Sequence, residues 1–298
     1  MKFDLAIVGH IVLDYVSGGE LVQGPRLGGP CTYAGLAANS LGAKTLAISR
    51  VGEDFGSRRL SFLKAYGIST SHVKTTSSPT TSFRIHYRDG NRTMRVTSIC
   101  DPISDESLSG LPSSFGMHIG PVLDEVSPAL AIRLAARIRI VGLDPQGYLR
   151  QLDSNGVVQV RRWRNPSLLR RITVLKASED ELAAIIGQKW SSRKLSALGP
   201  EIMLLTRGSR GTIIWSKENG MFNVPAYETR VRDPTGAGDT LVGAFLVTWS
   251  RTGDLLWSAA IGSSVASFAV AKTRIGDFGT RRQIESRAMQ ILEETTRI

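Results

Sequence analysis

Residues 233–240 read DPTGAGDT, the stretch of this chain whose residue types and spacing could most directly do chemistry. Proline pushes its predecessor out of the helical region, so Asp233 and Pro234 predict the end of an extended segment, the strand-like NVPAYETRV. Gly236, Ala237 and Gly238 offer almost no side chain, so their N–H groups can come close to a ligand. The apolar run LVGAFLVTW that follows predicts a helix starting near Gly238, with its positive dipole end on the same spot. Asp239 then stands in the first turn, beside an anion hole. One chemistry for that pairing is a base that takes a hydroxyl proton while the N–H groups hold a transferring phosphoryl group. A glycine loop followed by an acidic residue that favours a helix N-terminus has the same spacing, and spacing alone does not choose between them.

Such a loop needs strands and helices to hold it. LAIVGHIVLD (5–14) has the pattern of a buried strand that ends at Asp14, TLAISRVG (45–52) that of the next, and FGSRRLSFLKAYG (55–67) that of a helix between strands. Alternation of this kind predicts a mostly parallel sheet. Gly28 and Gly29 precede a helical pattern through Tyr33, Leu36, Ala37 and Leu41, which stops at Gly42. Residues 80–98 break the rhythm: Phe83, Ile85 and Tyr87 alternate with polar residues, Asp89-Gly90-Asn91 turns, and Met94 and Val96 alternate on the return. That is a hairpin exposed on one face. GMHIGPV (116–122) and RIRIVGLDPQG (137–147) are two further strand-to-loop transitions flanking the helix DEVSPALAIRLAARI, and they direct Asp144 and Gln146 toward the ligand crevice. His118 lies inside an apolar strand pattern and reads as a packed core residue. In ITVLKASEDELAAIIG (172–187), Ser178 and Glu181 form the S-x-x-E spacing of a capping box, which accounts for both without any function. Residues 201–216 give a strand, a glycine turn and a second strand. The small-residue run 259–272 and the amphipathic run 281–298 predict two closing helices.

DPTGAGD resembles the C-terminal signature of the ribokinase, or PfkB, family of carbohydrate kinases. GGPCTYAGLAANSLGA (28–43) is similar to that family's N-terminal glycine signature, in the right order and at the right separation. The resemblance extends over nearly the whole chain. It implies one ribokinase-like domain over 1–298, a doubly wound α/β/α sandwich with a small inserted β-sheet lid from about 14–30 and 80–98. It also implies ATP as phosphoryl donor, Mg2+, and K+ as a candidate monovalent ion. By resemblance Asp239 is the base, and Gly236, Ala237 and Gly238 hold phosphate charge. Asp14 matches an aspartate that hydrogen-bonds substrate hydroxyls, beside Gly28 and Gly29, and Gln146 joins them as the candidate read from its strand end. Thr206, Gly208 and Gly211 match the T-x-G-x-x-G turn beside the nucleotide phosphates. Glu181 matches a glutamate that orients water around magnesium, while Ser178 stands where the family has an asparagine facing the phosphates. Tyr33 replaces an asparagine that binds the sugar in many members. With GGP before it, Tyr33 resembles the subset that includes archaeal myo-inositol kinases. A tyrosine offers one hydroxyl and a broad apolar face, which ranks a cyclic polyol first, a nucleoside second and a sugar acid such as 2-keto-3-deoxygluconate third. For an acid, Arg84 is the nearby cation that the sequence suggests.

Composition narrows the alternatives. The chain has 298 residues, 42% hydrophobic and 21% charged, as in an ordinary globular protein. Cys31 and Cys100 suggest neither a disulfide framework nor a zinc site. No apolar run is long enough for a membrane span, and MKFDLAIVGHIVLDYV reads as a strand and not as a signal peptide, so a cytoplasmic location is expected. The formal charge of +11 raises nucleic acid as a partner, most densely at RRWRNPSLLRR, where Arg161, Arg162, Arg164, Arg170 and Arg171 surround Trp163. A solvated face is the commoner meaning of such a run, and a basic surface also suits an enzyme that handles nucleotides. The expected partners are a small sugar, polyol or nucleoside, with no membrane, and a second copy of the chain paired through the lid.

Overall fold

The computed structural model describes residues 2–17, 24–88, 91–272 and 275–298. The first part of the chain holds β1 (Phe3–Val8), β2 (Val12–Ser17), β3 (Pro25–Gly28), α1 (Pro30–Ser40), β4 (Thr45–Gly52), α2 (Ser57–Ala65), β5 (Ile68–Thr76), β6 (Ser82–Arg88) and β7 (Asn91–Ser98). Next come β8 (Ser114–Ile119), α3 (Pro128–Ala135), β9 (Ile140–Leu143), β10 (Arg150–Leu152), β11 (Val158–Val160), α4 (Pro166–Leu169), β12 (Val174–Ser178), α5 (Glu179–Ile186) and α6 (Ser192–Ser196). The last part holds β13 (Ile202–Thr206), β14 (Thr212–Ser216), β15 (Gly220–Val224), α7 (Ala237–Thr252), α8 (Leu255–Ala271), α9 (Arg281–Glu293) and β16 (Thr296–Arg297).

The large sheet has 10 strands in the order β16-β15-β14-β13-β12-β9-β8-β1-β4-β5. From β13 to β5 all neighbours are parallel, while β14, β15 and β16 run antiparallel at one end. Strands of this kind are covered on both faces, which is why they read as continuous apolar runs. Leu5 and Ile7 of β1 join a core with α1, α7, α8 and α9; Ala6 and Val8 join the opposite core with α3, α4 and α5. This is the α/β layering expected from the alternation. Helix α7 is anchored by the fully buried Phe245, whose truncation to alanine would cost about 3–5 kcal/mol. That anchorage fixes where its first turn stands.

A second sheet of 4 strands, in the order β3-β2-β6-β7, is the small sheet expected from the hairpin. It packs on a modest core of Val12, Val16, Phe83, Ile85, Met94 and Val122. Alternation holds along β6: Phe83 and Ile85 are buried, whereas Arg84 and His86 are exposed. Of the expected segments, residues 18–23 and the turn residues Asp89 and Gly90 lie outside the described residues.

Several boundaries differ from the sequence reading. LAIVGHIVLD is two strands, not one, because the chain leaves the large sheet at Gly9 and enters the small one at Val12. A Cβ at Gly9 would stand 2.2 Å from the Gly120 carbonyl oxygen, so the crossing is pressed against the neighbouring strand end. The buried His10 braces it: its N–H donates to Glu125 Oε1 (2.9 Å), and its ring nitrogens meet Thr81 Oγ1 (2.9 Å) and the Asp101 carbonyl (3.0 Å). NVPAYETRV is not a strand beyond Val224, since Pro225 removes a ladder donor. The helix read from Asp124 starts only at Pro128, capped by the Ser127 hydroxyl, which accepts from the Leu130 N–H. The C-terminal helix stops at Glu293, and the chain adds the edge strand β16. Within the basic run, Trp163 stacks on Tyr148 (centroids 5.0 Å apart), and Arg161 bonds Asp124 and the Tyr148 carbonyl. Trp163 of the suggested nucleic-acid patch is therefore turned to internal packing, while Arg161 is held in an exposed ion pair. Among the described residues no helix is long and apolar enough to cross a membrane.

Candidate active site

Gly236 is the N-cap of α7, with φ +77°, a left-handed conformation that suits glycine. A Cβ there would lie 2.3–2.4 Å from the ring atoms Cγ, Cδ1 and Cδ2 of Tyr33, so the loop also rests on one face of that ring. The first turn, Ala237 to Asp239, presents N–H groups that no intrahelical carbonyl can satisfy. The Ala237 N–H makes a long turn bond to the Pro234 carbonyl (3.3 Å). Gly238 has its own reason to lack a side chain: a Cβ would press on Lys176 Cε (2.9 Å) and Nζ (3.0 Å). An ammonium therefore lies directly beneath the anion loop.

Lys176 projects from β12 and is buried. Its Nζ donates to Asp144 Oδ2 (2.7 Å) and stands 3.8 Å from Glu181 Oε2. Burial works against its charge, but Asp144, Glu181 and Asp239 together outweigh that and hold its pKa above the usual lysine value. Burial raises Asp144, with Lys176 opposing. Burial pushes Glu181 upward too, yet Lys176 and the Ser178 N–H prevail and hold it low. Asp239 is the odd member. Burial, and next the Asp144 charge, lift its pKa to about 7 against the pull of Lys176 and Arg150. Its Oδ1 is buried without a hydrogen-bond partner among the described residues. It is an open acceptor at the start of a helix.

Two cavities meet at this point. A polar cleft of about 260 Å³ lies under the small sheet; Asp14, Gly29, Tyr33, Gln146, Arg150 and Asp239 are among its walls. A cavity of about 530 Å³ lies on the other side, between the Thr206–Thr212 turn, the 226–231 loop and the small residues of α8. Thr206, Pro234, Ala237 and Gly238 line both. The loop at the head of α7 is thus the partition between a polar chamber and a largely apolar one.

The model of the pfkB family carbohydrate kinases matches residues 28–278. The chain belongs to that family. Among curated proteins it is 27% identical over 252 residues to an inositol 3-kinase from Arabidopsis thaliana, covering 81% of this chain and 66% of that one. It is 26% identical over 264 residues to a cytidine kinase from Thermococcus kodakarensis, covering 83% and 89%. It spans 61% of the length of a bifunctional HldE protein from Azorhizobium caulinodans, at 26% identity over 307 residues and 90% of this chain. In fold it is similar to a pyrophosphate-dependent kinase in the ribokinase family complexed with a pyrophosphate analog and myo-inositol, at a TM-score of 0.79 and 23% identity over 95% of this chain and 99% of that one.

For this pfkB chain the sequence-predicted residues fall into two groups. Asp14, Gly29, Tyr33, Gln146, Ser178, Glu181 and the 236–239 loop share the polar cleft; Gly208 and Gly211 lie on the apolar side, and Thr206 on both. Asp14 stands mid-strand on β2, not at a large-sheet strand end. Gly28 makes room for it, since a Cβ there would meet Asp14 Oδ2 at 2.0 Å. Ser178, expected beside the donor, lines the polar cleft. It forms the capping box: its N–H donates to Glu181 Oε2 (2.7 Å), and the Glu181 N–H donates to its Oγ (3.3 Å). Two cleft cations were not read from the sequence. Lys176 interrupts an apolar strand, which is a usable signal. Arg150, which donates to Gln146 Oε1 (2.7 Å) and the Val122 carbonyl (3.0 Å), carries no local signal. Arg84 faces away from the cleft, on the exposed side of β6.

Proposed function

We propose that this chain transfers the γ-phosphoryl group of ATP to a hydroxyl of a small cyclic polyol bound in the polar cleft, with myo-inositol the first candidate. The observation that carries this reading is the open Asp239 carboxylate oxygen at the partition between the two cavities. An acceptor held by Asp14 and Gln146 would offer one hydroxyl to Asp239, which takes its proton as the phosphoryl group moves across the first turn of α7. With a loose transition state the proton can leave late, so positioning matters more than basicity. Lys176 beneath Gly238, and the N–H groups of the first turn, would hold the charge of the group in flight. Thr206, Gly208 and Gly211 would cradle the donor phosphates. The larger apolar cavity, with Leu241, Ala266 and Val270 in its wall, suits an adenine base and favours ATP over a donor without one. Mg2+, when bound, would neutralise the donor phosphates, with Glu181 the carboxylate placed to hold its water; among the described residues no group of three His, Cys, Asp or Glu forms a metal cage. K+ enters only as a candidate activator, checked by replacing it with Na+ in the same assay.

Likeness to the inositol 3-kinase supports the polyol, and the cytidine kinase supports a nucleoside as the second reading. Tyr33 lends one ring face to Gly236, so the apolar wall met by an acceptor also includes Val12, Phe83 and Met94. A sugar acid stands third, and its carboxylate would meet Arg150 and not Arg84. The whole chain would act as one kinase domain in the cytoplasm, with the small sheet as its lid and as a surface for a second copy. The test compares kcat/KM for myo-inositol, cytidine, adenosine, ribose and 2-keto-3-deoxygluconate, on the wild type and Tyr33→Asn, with ATP, ADP and pyrophosphate as donors. A tenfold preference for the keto acid or ribose, about 1.4 kcal/mol in transition-state binding, overturns the polyol reading. Sedimentation as a monomer removes the dimer.

A further inference from the structure

Arg26 lies on β3, where it is the cross-strand partner of Asp14 on β2, so both side chains leave the small sheet on one face. From there Arg26 Nη1 donates to Asp233 Oδ2, with only 12% and 9% of the two side chains exposed. The other oxygen of Asp233 accepts the Thr235 N–H (2.9 Å). The Thr235 hydroxyl in turn meets the Tyr87 hydroxyl (3.0 Å), which comes from β6 of the same small sheet. Two strands of the small sheet therefore end on Asp233 and Thr235, the residues that lead directly into Gly236, the N-cap of α7. The Asp233 backbone N–H is itself fixed to the Val270 carbonyl of α8 (3.1 Å). A buried ion pair is a poor device for stability alone, because an apolar pair of the same volume often serves as well or better. What it provides is a directed connection, since a guanidinium meets a carboxylate in few orientations.

We propose that Arg26 is a positioning residue that couples acceptor binding to the anion loop. The proposal rests on the reading of Asp14 as an acceptor ligand given above. An acceptor seated against Asp14 steadies the face of the sheet that carries Arg26. Arg26 ties the sheet to Asp233, and an acceptor that steadies the sheet through Asp14 completes the setting of the Gly236–Asp239 turn for transfer. With no acceptor the turn is less well held, so water is a poor recipient of the phosphoryl group. The ion pair thus favours the acceptor over water as the recipient of the phosphoryl group.

The test uses the full chain with Arg26→Gln, which keeps a polar side chain but removes the charge and shortens the reach, Arg26→Lys, which keeps charge without the fork, and Tyr87→Phe, which removes the second tie. In Arg26→Gln, kcat for acceptor phosphorylation should fall by about tenfold or more while KM for ATP moves less than about twofold, the signature of lost positioning. ATP hydrolysed per acceptor phosphorylated should rise by about tenfold, with Arg26→Lys and Tyr87→Phe between that variant and the wild type. A merely structural role would lower melting temperature and active fraction and leave kcat per active site and the hydrolysis ratio unchanged; that result overturns the proposal. Should Arg26→Gln not fold, the same two readouts on Arg26→Lys and Tyr87→Phe decide it. If the wild type phosphorylates none of the acceptors, the functional reading has failed, and amide hydrogen exchange in the ligand-free protein judges the latch alone. Exchange in 25–28 and 82–87 that is about tenfold faster in the variants, with β8 and β9 unchanged, supports it, and equal exchange overturns it.

Discussion

The two cavities that meet at the head of α7 are made of opposite materials. The polar cleft draws Asp14, Asp144, Lys176, Glu181 and Asp239 from separate elements, and the charge states of the last four depend on their neighbours. The apolar cavity is lined largely by small residues of one helix and by two loops, Ser263, Ala266, Ser267 and Val270 among them. A chamber of coupled charges fails abruptly where removing one member leaves another buried without compensation. A chamber of small side chains fails by degrees as its volume is filled. On this reading, substitutions of the cleft's transfer residues should change kcat and substitutions in the cavity should change KM for the donor.

The sharpest break in that contrast is Asp239→Asn. It keeps the shape of the first turn and replaces the carboxylate with an amide that cannot take a proton, and turnover should drop by about 100-fold or more, in line with loss of a general base. Donor affinity, followed by calorimetry, should hardly move. Near-normal turnover would be incompatible with Asp239 as the base. The pH profile is the milder form of the same test. With Asp239 at about 7, its ionised form is lost as pH falls below neutrality, so kcat/KM should decline by about tenfold per unit on the acid limb. Stability should run the other way. The folded pKa is raised above the unfolded value of 3.8, so the native state holds the extra proton between about 4 and 7 and loses stability as pH rises through that window. Asp239→Asn should flatten this slope in thermal melts.

On the apolar side, Ala266→Phe should raise KM for ATP by about tenfold, or 1.4 kcal/mol, with kcat and the acceptor KM nearly unchanged. Equal damage to both constants would mean that the partition at Thr206, Pro234, Ala237 and Gly238 transmits strain and that the two chambers are not separable.

How much of this was legible in sequence follows from the range of each signal. The 236–239 loop was legible because a helix start, two glycines and a carboxylate sit within a few residues, and β–α–β alternation was legible because both faces of strands such as β1 and β4 are buried. Tertiary meetings were not. Arg150 reaches the cleft from a short strand with no pattern of its own, and no local feature tells it from the solvent-facing arginines. Lys176 could have been found, since a lone lysine in the run VLKAS has to be paired where the strand is covered on both sides. The choice of Arg84 as a cleft cation contradicted the alternation already read from Phe83 and Ile85, which turns it outward. The split of 5–14 into strands of two different sheets depended on a contact with Gly120, far along the chain.

The smallest effect is expected where a single residue serves both structure and site. Glu181 completes a capping box with Ser178, and glutamine can do the same, so Glu181→Gln should leave the α5 start intact and melting nearly unchanged. What it removes is a negative charge 3.8 Å from Lys176 and facing the cleft. Lys176 keeps its closer partner, Asp144, at 2.7 Å, so the ammonium stays compensated and turnover at saturating magnesium should change little. The loss should appear instead in the Mg2+ needed for half-maximal rate, which should rise between about three- and tenfold, at or below the usual range for partners that hold a metal through its outer shell. A magnesium titration that superimposes on the wild type, with melting also unchanged, would leave Glu181 a helix cap and nothing more. The polar cleft would then contribute Asp239 and Lys176 to transfer without a carboxylate for the ion. A lower melting temperature with an unchanged titration would instead mean that the charge of Glu181, held low by Lys176 and the Ser178 N–H, serves the fold of β12 and α5.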